Sequence, residues 1–272
     1  MAELPSVAQM RSVTQPATVT GRPSAEHWTG TLYMRRISPY VTRVLLGTGI
    51  TPNGVTVLMI VSGAAAAAAL LVAGLPGAVL AALLAQLQML LDCSDGELAR
   101  WSGQYSVAGV FLDKLGHYTA EGLLPLALGV RADGGIGSIG GWTTLGALLA
   151  LAVLFNKSLN DMVHASRARA GLPPLADSSD GAGAGTPRNA RVRGLRSLAR
   201  FVPFHRAYHS IELTLLALLA AVVDTLVDDL PPGGVDGAGL GATRLLLVAL
   251  LVAAVVTVAG HVTAILTSSK LR

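Results

Sequence analysis

The 272-residue chain reads as an all-α integral membrane protein, with six transmembrane helices preceded by an amphipathic helix at the membrane surface. Three observations lead there. The composition is 52% hydrophobic and 13% charged, whereas a soluble domain carries about 25% charge. Apolar runs of about 18 to 25 residues recur along the chain, long enough as helix to cross ~30 Å of hydrocarbon. Positive charge is also segregated into a few connections, the pattern that sets membrane topology.

Residues 1–26 are rich in Ser, Thr, Pro, Val and Gln without a sustained helical period, so the sequence predicts a disordered, dispensable tail. Over residues 27–50, Trp28, Leu32, Tyr33, Ile37, Tyr40, Val41, Val44 and Leu45 interleave with Arg35, Arg36 and Arg43. That alternation predicts a helix lying in the headgroup layer, kinked or divided at Pro39. No apolar core of signal-peptide type precedes Ile50, and no cleaved leader is expected. Thr51 and Pro52 supply an N-cap and a first-turn proline for the membrane domain, taken as residues 51–272.

Its spans are read at approximately 53–74, 77–98, 106–130, 141–164, 208–227 and 243–266. The Ala-rich run 63–69 is assigned to close helix packing, and Cys93, the only cysteine, to a small buried position. Pro, Gly, Ser and Asp between 173 and 187 predict a flexible loop, placed at about 170–200. No internal repeat is evident.

The net charge of +4 raises the possibility of nucleic acid, but its distribution argues for topology. Arg35, Arg36 and Arg43 precede the first span; Arg167, Arg169, Arg188, Arg191, Arg193, Arg196, Arg200 and Arg206 crowd the connection between the fourth and fifth; Lys270 and Arg272 close the chain. Asp224, Asp228, Asp229 and Asp236 mark the opposite side. The expectation is a multi-pass cell-membrane protein with no nucleic-acid partner, both termini cytoplasmic, and the loop after Arg100 on the same side.

The most informative window is LDCSDGELARWSGQYSVAGVFLDKLGH, residues 91–117. Asp92 and Asp95 lie three apart on one helical face, and Asp113 and His117 lie four apart on the next helix. Carboxylates are costly in such helices and demand partners. Two antiparallel helices joined by a tight polar turn would bring the four side chains to a similar depth, where cations would neutralise them. The alternatives from the residues alone are a structural ion-pair network or a cation-coupled transporter. The extracellular halves of the spans hold almost no ionisable groups, which counts against transport.

Asp92, Asp95, Gly96, Ala99, Arg100, Gly109 and Asp113 match in full spacing the signature DxxDGxxAR, eight residues, G, three residues, D, three residues, D. In this the chain resembles the CDP-alcohol phosphotransferase family, and the TPNGVT segment resembles the family's lead-in to its first membrane helix. The resemblance implies transfer of a phospho-alcohol group from a CDP-linked donor to an acceptor hydroxyl, with release of CMP, in phospholipid biosynthesis. It further implies Mg2+ or Mn2+, in a two-ion site, held by Asp92, Asp95 and Asp113. Gly96, Ala99, Arg100, Gly109, Asn53 and Thr56 then fall to nucleotide contact, and the expected assembly is a homodimer among membrane lipids.

The last motif position departs from the pattern: His117 stands where the family has aspartate. Three readings stay open, namely a general base with an unperturbed pKa near 6.5, a ligand to a softer metal, and a catalytically impaired relative that binds CDP without turnover. The donor is CDP-diacylglycerol with a polar acceptor such as glycerol phosphate or inositol phosphate, or a soluble CDP-polyol with a lipid or polyol phosphate acceptor. Asn156, Asn160 and His164 in the fourth span, with His205, Arg206 and His209 entering the fifth, are candidates for the acceptor pocket; interfacial anchoring is the alternative. Lys157 and Asp161, four apart, are expected to pair with each other.

Overall fold

The computed structural model describes residues 4–16, 29–173, 207–228 and 241–268, and its regular elements are all helical. We label the α-helices α1 (Val7–Thr14), α2 (Arg35–Thr48), α3 (Pro52–Leu70), α4 (Gly74–Ser102), α5 (Val107–Ala132), α6 (Gly141–Arg169), α7 (Ser210–Asp228) and α8 (Gly241–Leu266). A π-helical turn, Gly30–Met34, leads into α2, and a 3-10 turn, Ile136–Ser138, precedes α6. The long helices close a ring in which α3 packs on α4, α4 on α7, α7 on α8, α8 on α6, α6 on α5 and α5 back on α3.

Local chemistry sets the helix ends. The Thr51 hydroxyl accepts the Gly54 N–H at 3.2 Å and Pro52 occupies the first turn, as the sequence predicts. Gly103 ends α4 with φ +67°, a left-handed conformation that costs glycine little. Ser106 then caps α5 by accepting the Gly109 N–H at 2.9 Å. Asp133 accepts the N–H groups of Gly140 and Thr143, each at 2.7 Å, tying the end of α5 to the start of α6. Asp224 does the same between α7 and α8, accepting the Ala242 N–H at 2.7 Å and the Thr243 hydroxyl at 2.5 Å.

Leucines fill the centre of the ring: Leu70, Leu124, Leu128, Leu149, Leu213 and Leu247 are all fully buried. Small residues set the spacing. Ala66, Ala67 and Ala69 of the Ala-rich run are buried against this core, so the run packs within the chain. A Cβ on Gly129 would lie 2.6 Å from the Trp142 carbonyl oxygen, which makes the α5–α6 crossing a contact of backbones. Cys93 is buried with Met34, Met89 and Ile211.

Five of these helices, α3, α4, α6, α7 and α8, are long and apolar enough to cross a membrane, and the chain is read as a membrane protein on that basis. The expected third span, α5, has the length of its neighbours but carries Asp113, Lys114, His117, Glu121 and Arg131, and it is not among the five. Helix α2 is inverted relative to a soluble amphipathic helix. Polar Ser38 and Thr42 are buried against the protein, while Ile37, Tyr40 and Val44 are exposed.

Two expectations for the first fifty residues differ from the structure. Within the stretch read as disordered, Val7–Thr14 forms a helix with a complete capping box between Ser6 and Gln9, and Met10 and Thr14 are fully buried. Eight residues are too few to show a helical period, and contacts made across the fold hold them in place. Helix α2 also runs through Pro39 undivided. Trp28, the arginines from Arg188 to Arg206, Asp229, Asp236, Lys270, Arg272 and most of the 170–200 loop lie outside the described residues.

Candidate functional site

Helices α4 and α5 do not simply lie side by side. Each packs on α3, which contributes residues between them. From the last turns of α4 and the first turns of α5, Asp92, Asp113 and His117 converge until one ligand atom from each lies within 4.8 Å of the others. His117 Nε2 is 3.1 Å from Asp92 Oδ1 and 3.5 Å from Asp113 Oδ1. The side chains are 21% (Asp92), 24% (His117) and 45% (Asp113) exposed, so the cluster is reachable from solvent. Two carboxylates and an imidazole at this separation form a hard, oxygen-rich donor set with one nitrogen, suited to a divalent cation.

Asp95 is not one of this trio, although its carboxylate feels the charges of Asp92 and Asp113. It is buried, and its Oδ2 accepts the Thr56 hydroxyl of α3 at 2.7 Å, one turn from the helix cap that Thr51 and Pro52 provide. The antiparallel arrangement expected from the sequence thus brings three of the four side chains together, and α3 takes up the fourth.

A cavity of about 300 Å³ opens beside the cluster, the lower end of the range for small-molecule sites. Asn53, Thr56, Asp92, Asp95, Gly96, Ala99, Arg100, Gly109 and Asp113 all line it, together with Arg35 from α2 and Gln104 and Tyr105 from the α4–α5 turn. The glycines have immediate neighbours. A Cβ on Gly96 would sit 3.1 Å from Arg100 Nη1, so the missing side chain leaves room for the guanidinium to fold back over α4. A Cβ on Gly109 would sit 2.8 Å from Asn53 Oδ1, the same relation between α5 and α3.

A second polar cluster lies farther along α5. Glu121, only 2% exposed, meets Lys157 Nζ of α6 at 3.0 Å and His209 Nδ1, just before α7, at 3.1 Å. Asn156 Oδ1 contacts His261 Nδ1 of α8 at 3.0 Å, and the Asn156 amide donates weakly to the Tyr208 hydroxyl at 3.4 Å. Lys157 does not pair with Asp161 as the spacing suggests. Asp161 is bonded instead by Lys114 and by the Tyr118 hydroxyl, both on α5. Of the six residues named for an acceptor pocket, Asn156 and His209 enter this network, Asn160 and His164 are exposed on α6, and His205 and Arg206 lie outside the described residues.

Three contributors escaped the sequence reading. Glu121 looks like one more charge near a helix middle, and its partners lie 36 and 88 residues away. Glu97, fully buried, accepts the hydroxyls of Ser38 at 2.5 Å and Thr42 at 2.8 Å from α2. Arg35 reaches the cavity because that bond set fastens α2 to α4. The one available signal was the Ser38–Thr42 pair at four-residue spacing, which places hydroxyls on the face opposite Ile37, Tyr40 and Val44.

Residues 49–168 match the family model for CDP-alcohol phosphatidyltransferase. The matched segment contains α3, α4 and α5, all but the last residue of α6, and every cavity-lining residue except Arg35. A comparison with curated proteins gives no match. The family's activity is phospho-alcohol transfer from CDP-alcohols in phospholipid synthesis, typically with a divalent metal. Over residues 49–168, the chain is similar to the CDP-alcohol phosphatidyltransferase family.

Proposed function

We propose that the protein transfers a phospho-alcohol group from a CDP-alcohol to an acceptor hydroxyl, releasing CMP, with a divalent cation held by Asp92, Asp113 and His117. The observation that carries this reading is the convergence of those three ligand atoms within 4.8 Å, with Asp92 and Asp113 lining the cavity that holds the other motif residues. When bound, the metal supplies charge neutralisation for a pyrophosphate and stabilises the departing CMP. Mn2+ fits the imidazole better than Mg2+ does, and Asp95, which lines the same cavity, would be the carboxylate available to a second ion.

The remaining work falls to side chains. Arg100 and Arg35, both lining the cavity, offer guanidinium forks to phosphate oxygens. Thr56 fixes the Asp95 carboxylate through its hydroxyl, and Asn53 crosses the mouth between α3 and α5. The acceptor oxygen forms its bond to the phosphorus of the transferred group as the bond to CMP breaks, and the acceptor's proton must leave. His117 serves as a ligand in this account because its Nε2 points at both carboxylates. The same atom acting as general base is the second reading, since an unligated Nε2 there has two carboxylates to stabilise its protonated form.

The membrane setting is part of the proposal. Helix α5 crosses as the third of six spans, its ionisable groups meeting Asp92 of α4, Asp161 and Lys157 of α6 and His209 before α7, and α2 lies in the headgroup layer on its exposed apolar face. Arg35, Arg36, Arg43, Arg167 and Arg169 fall at one end of the bundle, supporting a cytoplasmic site with both termini on that side. A homodimer follows from the family resemblance. CDP-diacylglycerol and soluble CDP-polyols are both admissible donors, with a polar or lipid hydroxyl as acceptor.

The test is CMP release by purified protein over a panel of CDP-alcohols, with Mg2+ or Mn2+. Metal-dependent CMP release with at least one donor is expected. CDP binding without turnover on any donor would instead favour a CDP-binding membrane module, the outcome that the histidine at the last motif position makes worth distinguishing.

A further inference from the structure

The segment 4–16, outside the family match, lies against the same arginine that the motif places in the cavity. Pro39 has no N–H, so the α2 ladder lacks its bond to the Arg35 carbonyl four residues earlier. That open carbonyl is filled from outside: Gln15 Nε2 donates to Arg35 O at 2.7 Å and to Glu97 Oε1 at 2.8 Å. Arg11 donates to the neighbouring Arg36 carbonyl at 2.9 Å, and Arg43 donates back to the Pro5 carbonyl at 2.9 Å. Met10 and Thr14 are fully buried beneath these bonds. The segment is therefore fastened at both ends, not resting loosely on the surface.

Its last turn reaches the motif. Arg100 Nε donates to the Thr14 carbonyl oxygen at 2.6 Å, while Nη1 and Nη2 lie over Gly96 on the cavity wall. A guanidinium held by Nε has its rotation about the terminal bonds fixed, and its two Nη groups are left as a fork of set direction.

We propose that residues 4–16 form part of the nucleotide site, with the Thr14 backbone carbonyl as the positioning group that aims Arg100 at the donor's phosphates. This rests on the CDP-alcohol reading above. Thr14 is a positioning residue only; it acts through Arg100 and contacts no ligand. The segment expected to be dispensable thus sets donor affinity. A donor pyrophosphate, with closely spaced anionic oxygens, is the ligand chemistry that such a fixed fork favours.

Titration of the full chain in detergent with CDP and Mn2+ tests this, comparing the unaltered protein, a deletion of residues 4–16, Arg100→Ala, and the two changes combined. The deletion is expected to weaken CDP about tenfold, the size associated with one charge-assisted hydrogen bond. Because the segment acts through Arg100, the combined variant is expected to bind no more weakly than Arg100→Ala alone. Met10→Asp, which undocks the segment without shortening the chain, should reproduce the deletion. Unchanged CDP affinity in the deletion, or losses that multiply in the combined variant, would overturn the proposal while leaving the CDP reading intact. No CDP binding by the unaltered chain would overturn both.

Discussion

Helix α5 carries acidic groups in two neighbourhoods that meet opposite solutions to one problem. At Glu121 the carboxylate is almost fully buried and two basic side chains from other helices, Lys157 and His209, come within 3.1 Å of it. Two turns earlier Asp113 shares the single imidazole of His117 with Asp92, and the group is open to solvent. The first cluster contains its own counter-charge and joins α5, α6 and the start of α7. The second draws acidic groups together at a cavity mouth, an arrangement that is favourable once a cation binds. Proximity on one helix therefore does not make the two clusters one site.

The sharpest way to break this distinction is to neutralise each neighbourhood in turn. Asp113→Asn or Asp92→Asn should lower CMP release by about a thousandfold, the scale of a lost electrostatic contributor to catalysis, while thermal unfolding in detergent stays near that of the parent. Glu121→Ala should show the reverse. Breaking a buried pair by removing one partner costs about 3–5 kcal/mol, so the melting temperature should fall sharply, while CMP release per folded molecule changes far less. If Glu121→Ala abolished turnover without moving the melting temperature, the two neighbourhoods would have to be joined.

His117→Asp sharpens the comparison from the metal side. Restoring an all-oxygen donor set should shift the preferred cation from Mn2+ toward Mg2+ by about tenfold in relative activity, read as the ratio of CMP release in the two metals. An unaltered ratio would move His117 from ligand to base. The smallest effect is expected at Thr56→Val, which removes one hydroxyl from the Asp95 carboxylate and should lower turnover about tenfold or less, with Mn2+ affinity at the Asp92 and Asp113 site unchanged.

Much of the scaffold was legible because membrane helices announce themselves locally. The spans read at 53–74, 141–164 and 243–266 reappear as Pro52–Leu70, Gly141–Arg169 and Gly241–Leu266. Their ends follow from Thr51, Pro52 and the glycines beside them, all neighbours in sequence. The convergence of Asp92, Asp113 and His117 was legible for the same reason, since a short turn joins the two helices that carry them. What stayed hidden depends on distant partners. Glu97 and Ser38 are 59 residues apart, and Arg100 and Thr14 are 86 apart. Lys157 illustrates the limit from the other direction: four-residue spacing offered Asp161, but the helix face that carries Lys157 looks toward α5 and Glu121. Local spacing lists the available pairs; packing chooses among them.

Mn2+ binding followed by electron paramagnetic resonance tests the central claim most directly, in the unaltered protein and in Asp92→Asn and Asp113→Asn, with and without CDP. Saturable binding that tightens with CDP and is lost in both variants is the expected result. Equal Mn2+ binding in all three proteins would contradict a cation held by Asp92, Asp113 and His117.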